Sequence, residues 1–173
     1  MDMLELTDEE QIARQMGRRA RCVVAVAARC PAGHPAVITC YPLRREGGRL
    51  TPFPTLYWLT CPSLSRSLAH LERDGAIAAI GAELAADPVL QAGLRRNHEQ
   101  YIAQRWATLS AEDRLLMSGS DLAAFFQTRG IGGMTNLAAV KCLHLHFAQH
   151  LAGGNVLGEL VARRYALRAC GTK

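Results

Sequence analysis

With 173 residues, 49% of them apolar and 20% charged, the chain has the composition of a folded globular domain rather than of a disordered segment. Its formal charge of +5 is modest and aromatics make up only 6%, so the basic stripe with interleaved rings that marks a nucleic-acid reader is not written here. Residues 1–10 are acidic and lack the apolar segment of a signal peptide, and no uncharged apolar run is long enough to span a bilayer, so a cytoplasmic protein with no membrane partner is expected.

In chain order, Thr7 followed by Glu10 makes a capping box that opens a first helix, and Gly17 stops it. Residues 20–29, with Val23, Val24 and Val26, read as a strand. Two prolines and a glycine make 30–35 a turn, and 36–41 returns as a second strand. A polar loop over 44–48 leads to a third strand over 53–60, rich in aromatic and β-branched residues. Cys61-Pro62 ends it, and Ser63 is expected to cap a helix carrying Leu64, Leu68 and Leu71, closed by Asp74-Gly75.

From Ala76 onward the pattern is helical. Ile77, Ile80 and Leu84 form one stripe, and Asp87-Pro88 caps the next helix. Residues 89–109 are polar and charged and read as a long solvent-facing helix, with Arg95, Arg96, His98 and Glu99 on a solvated face. Short helices are expected after Ser110 and Ser120. Gly130-Ile131-Gly132-Gly133 breaks the pattern; without Walker spacing or a preceding strand it reads as a flexible connection rather than an anion cradle. An apolar helix over 136–151 ends at Gly153-Gly154, and a final amphipathic helix carries Val161 and Tyr165 beside Arg163 and Arg164. Strands first and helices in a run give an α+β fold: a small antiparallel sheet of about three strands against a helical majority, in one domain spanning 1–173.

Six cysteines are present, and in a reducing compartment they are expected as thiols or metal ligands rather than bridges. Cys22 and Cys40 lie in strand-like runs and read as small hydrophobes; Cys170, near the terminus, reads as exposed and incidental. The other three sit in suggestive places. Cys30 and His34 share one tight turn. Cys61 lies where a helix begins, and the amides there favour a thiolate. Cys142 precedes His144, His146 and His150. At about 100° per residue, a helix over 136–151 places Cys142, His146 and His150 on one ridge and His144 on the apolar face. The expected ligand set is therefore Cys30, Cys61, Cys142 and His146, with His34, His144 and His150 as supporting or substitute ligands. Mixed thiolate and imidazole ligation suits Zn2+, while Cys-Pro, written twice, keeps an iron–sulfur cluster as the alternative. No CxxC knuckle or ferredoxin spacing is present.

The blocks Arg29-Cys30-Pro31-Ala32-Gly33-His34-Pro35, Pro52-Phe53-Pro54-Thr55-Leu56-Tyr57-Trp58-Leu59-Thr60-Cys61-Pro62 and Val140-Lys141-Cys142-Leu143-His144-Leu145-His146 resemble the bacterial family labelled domain of unknown function 501. The likeness runs from about Arg14 to Gly158. It departs at Val156, where the family leads one to expect proline after Asn155. The resemblance implies a small bacterial cytosolic protein and points at the same three cysteines, but brings no activity.

Three functions fit the sequence. One is a metal-binding protein. Another is a metal-free cysteine-dependent enzyme with Cys61 as nucleophile. The third is a non-enzymatic module that docks a protein partner or a second copy through the 89–109 helix and the C-terminal helices.

Overall fold

The computed structural model describes residues 6–171. The first half of the acidic opening segment, expected to lack a signal, lies outside them. Helix α1 (Asp8–Met16) starts as its capping box requires: the Thr7 hydroxyl accepts from the Glu10 amide and the Glu10 carboxylate accepts from the Thr7 amide. Gly17 ends the helix at φ 67°, a conformation that costs a residue with a Cβ far more.

Strands β1 (Val23–Arg29) and β2 (Pro35–Cys40) form an antiparallel pair, with β2 central. The third strand is shorter than its aromatic content predicts. Residues 53–56 form no ladder, and only Tyr57–Leu59 pairs with β2. The segment expected as a polar loop is a two-strand hairpin, β3 (Leu43–Glu46) and β4 (Arg49–Pro52), with β5 then being Tyr57–Leu59. Gly47 and Gly48, at φ 58° and 77°, supply the left-handed pair that a two-residue turn between twisted strands needs.

The sheet is covered on both faces. Val37 packs into the main core with α2 (Pro62–Arg73), α3 (Ala76–Ala86), α7 (Leu143–Gly153) and α8 (Val156–Arg164), through Leu64, Leu68, Ile80, Phe147 and Val161. Ile38 and Cys40 pack instead with Ile12 of α1. This period-two division is what a central strand with two covered faces should show.

Helix α4 (Pro88–Thr108) corrects the reading of a solvated rod. Arg95, Arg96 and Glu99 do face water, but Leu94, Asn97, His98, Tyr101 and Arg105 form a buried stripe. The stripe is polar, so hydrophobic patterning passes over it. Most of its groups find partners: Asn97 Oδ1 accepts from the Val156 amide, His98 Nδ1 from the Ile131 amide, and the Tyr101 hydroxyl donates to the Pro54 carbonyl, while His98 Nε2 and Arg105 Nε are buried without one. Below α4 lie α5 (Ala111–Leu116), α6 (Asp121–Thr128) and a short 3-10 turn at Ile131–Gly133. That glycine segment is no loose connection, since Ile131 and Gly132 are buried and the Lys141 ammonium donates to the Gly132 carbonyl.

The architecture is α+β, with eight α-helices among the described residues around a three-stranded antiparallel sheet and a separate hairpin. Among those residues no single helix is long and apolar enough to cross a membrane.

Candidate functional site

Helix α7 begins seven residues later than its apolar pattern predicts, and this rearranges the histidines. Cys142 is its N-cap, extended at φ −164°, and makes no side-chain cap. A cysteine outside the helix does not share the ridge of His146. Within reach of its sulfur is His144, with Sγ to Nδ1 at 3.7 Å.

The missing cap is supplied from 71 residues away. Glu72, in the last turn of α2, accepts from the Leu143 amide at 2.6 Å, so its carboxylate sits on the positive end of α7. The same oxygen lies 3.1 Å from His144 Nδ1. His144 Nε2 faces the Ser65 carbonyl at 2.9 Å. One donor atom each from Glu72, Cys142 and His144 therefore lie within 4.8 Å of one another, the one such group of three or more among the described residues, and each side chain is partly exposed.

The electrostatics follow from these contacts. The hydrogen bond with Cys142, then the Ser65 carbonyl and Glu72, raise His144 to about 9 against the opposing effect of burial. In the metal-free protein both ring nitrogens face acceptors, so the ring is an imidazolium. An ion displacing the Nδ1 proton would leave Nε2–H on the Ser65 carbonyl, the support that orients metal-binding imidazoles.

The expected four-ligand set does not assemble: Cys30, Cys61 and His146 stand outside this group. Cys30 is buried in the main core, its amide donating to the carbonyl of exposed His34. Cys61, the N-cap of α2, is fully buried, and its sulfur lies 3.3 Å from that of Cys170. Burial pushes the Cys61 thiol up rather than down, opposite to the activation expected at a helix start. Cys170 is half-buried rather than incidental, and hydrogen bonds from Ser63 and Cys61 outweigh its burial and draw it down.

His146 is buried among polar side chains. Asn155, which caps α8 through the Leu157 and Gly158 amides, donates to His146 Nδ1 and to Gln149 Oε1. His98 lies edge-on to it, with ring centroids 6.3 Å apart. Each Nδ1 accepts a hydrogen bond, so each Nε2 carries the proton. Burial lowers both rings, His98 to about 4 and His146 to about 3, and both stay neutral. His150 packs its ring 5.7 Å from that of Phe147. Asn155 caps α8 with Val156 in the first helical position, so the helix begins without the proline expected there.

Glu72 is the member of the cluster that reading the sequence missed. Its one local signal is an acid in the last turn of a helix, where the dipole opposes it and a cationic partner would justify it.

A family model described as "Protein of unknown function (DUF501)" matches residues 26–163. The chain belongs to that family. The DUF501 match takes in Glu72, Cys142 and His144 and stops short of Cys170. No curated protein and no solved structure matches the chain.

Proposed function

We propose that this DUF501 protein binds a single metal ion, zinc by preference, through Glu72, Cys142 and His144. The observation that carries this reading is the spacing of the donor atoms. A tetrahedral zinc with bonds of about 2.3 Å to sulfur and about 2.0 Å to nitrogen and oxygen separates S from N by roughly 3.6 Å and N from O by roughly 3.3 Å. The free side chains stand at 3.7 Å and 3.1 Å, so loading asks for little rearrangement. One thiolate, one imidazole and one carboxylate suit zinc, whereas an iron–sulfur cluster asks for more thiolates than gather here. Three protein ligands leave one tetrahedral position for water or a fourth group.

Metal content and the colour of a cobalt-substituted sample test the reading. Wild-type protein should carry one zinc per chain. Cys142→Ser, His144→Ala and Glu72→Gln should each lower the metal content, while Cys61→Ser and Cys30→Ser should leave it intact. Wild-type protein that stays metal-free after incubation with zinc ends the proposal.

The imidazolium character of His144 favours a second reading, a metal-free Cys142–His144 pair reacting through the thiolate. It expects Cys142 to alkylate faster than the other thiols in metal-free protein, and His144→Ala to slow it. Uniform slow alkylation removes that reading and leaves the first standing.

A further inference from the structure

We infer that a cleft between the end of α1 and the sheet binds a small, multiply charged, phosphate-bearing anion. The cleft has a volume of about 920 Å³, within the range of roughly 300–1,000 Å³ that small-molecule sites occupy. It shares no residue with the Glu72–Cys142–His144 group, so neither proposal depends on the other.

Its charge is lopsided. Arg18, Arg19 and Arg21, from the segment joining α1 to β1, face Arg44 and Arg45 of β3, with Glu46 as the one carboxylate among the lining residues. Arg19 is already paired with Glu9 at 2.6 Å, and Arg45 with Asp113. Among the described residues Arg18, Arg21 and Arg44 have no carboxylate partner within ion-pair distance. Guanidiniums that line one cleft from two sides, with no carboxylate partner among the described residues, give it a positive field that favours a bound anion.

The floor of the cleft holds two of them in place. The Phe53 and Trp58 rings lie within 12° of parallel, with the Arg44 guanidinium 4.2 Å from the Phe53 centroid and that of Arg18 5.9 Å from the Trp58 centroid. A guanidinium held over a ring by cation–π attraction still has N–H donors to offer oxyanions, and phosphoryl oxygens match its fork two at a time. The half-buried Cys22 thiol on the wall registers the same field. Cys40 has the largest effect, and against burial it brings the thiol down to about 7 with smaller contributions from the charges of Arg44 and Arg18.

A small molecule fits these observations better than a nucleic acid. The basic residues line a bounded cleft, and both aromatic faces named are engaged by arginine rather than left as a platform for stacking bases.

Calorimetric titration of the full chain in a chelator tests the assignment, with pyrophosphate, ATP, adenosine and a ten-residue oligothymidylate as probes. Pyrophosphate and ATP should bind saturably at one per chain, and adenosine should not. Arg44→Gln and Arg21→Gln should each weaken binding by about tenfold, the scale of one lost charge-assisted contact. Arg21→Gln, on an exposed and unstacked side chain, stands in if Arg44→Gln fails to fold. Pyrophosphate should also slow alkylation of Cys22, and Glu72→Gln should bind as wild type does. The inference is overturned by absence of saturable binding, by arginine variants that bind unchanged, or by adenosine matching ATP. An oligonucleotide that binds more tightly than ATP, and more so with length, overturns it in favour of nucleic acid.

Discussion

His144 shows how strongly a single side chain depends on where a helix begins. Placed inside a helix over 136–151, it falls on the apolar face; placed two residues after an extended N-cap, it lies between Cys142, Glu72 and Ser65. Its protonation gives the site a pH signature. The ring is raised from an ordinary value near 6.5 to about 9. In the metal-free protein its pairing therefore contributes stability fully below about 6.5, and that contribution is lost as pH rises through about 9. A metal must displace the Nδ1 proton. Zinc affinity, followed by competition against a chelating dye, should therefore rise by about tenfold or more per pH unit through this window and flatten above it. Affinity that does not change with pH there would remove His144 from the ligand set. Cys61 teaches the opposite lesson. A helix N-terminus draws a thiol down only where water or cations help, and here full burial against Cys170 raises it.

At the scale of elements, the contact between α7 and α8 decides where the buried histidines can sit. Gly158 is the point of closest approach: a Cβ there would stand 2.3 Å from His150 Cβ and 2.7 Å from the His146 carbonyl oxygen. Gly158→Ala should therefore destabilise the protein by roughly 1–3 kcal/mol, the usual cost of overpacking, despite alanine's better helix propensity. Gly81, on α3, has nothing within 4 Å of such a Cβ and lies in an ordinary helical conformation. Gly81→Ala should stabilise by about 0.5–1 kcal/mol. Urea denaturation of the two variants checks both signs at once, and equal shifts would mean that the helix contact is looser than its geometry. The hairpin of β3 and β4 was legible in principle, because two glycines between runs of strand length are a hairpin signal. Its strands carry Arg44, Arg45, Glu46 and Arg49, and that polarity hid it.

For the whole molecule, Arg105 is the tie between regions distant in sequence. It is fully buried on α4 and donates to the carbonyls of Phe126 at 3.0 Å, Gly130 at 3.2 Å and Arg129, with Pro54 at 3.5 Å. No carboxylate among the described residues pairs with it, so carbonyl dipoles and the faces of Tyr101, Phe125 and Phe126, with centroids 5.6–5.8 Å from the guanidinium carbon, balance its charge. Arg105→Met keeps much of the volume and strands those acceptors. It should cost roughly 3–5 kcal/mol, visible as a loss of thermal stability of the whole chain rather than of one helix. A thermal midpoint unchanged from wild type would show that water satisfies the carbonyls instead.

The amino-acid order by itself determined the features that depend on neighbours in the chain. Caps at Thr7, Asp87, Ser110 and Ser120, stops at Gly17 and Asp74-Gly75, the first two strands and the α+β class all follow from spacing and turn chemistry. Only the tertiary structure decided which polar groups are buried and which chemistry-bearing side chains meet. A carboxylate 71 residues from its helix end leaves no periodic trace, and a polar stripe such as Asn97, His98, Tyr101 and Arg105 reads as solvated until partners from other elements satisfy it. Proximity through folding is a property of the packed chain, and local pattern carries none of it.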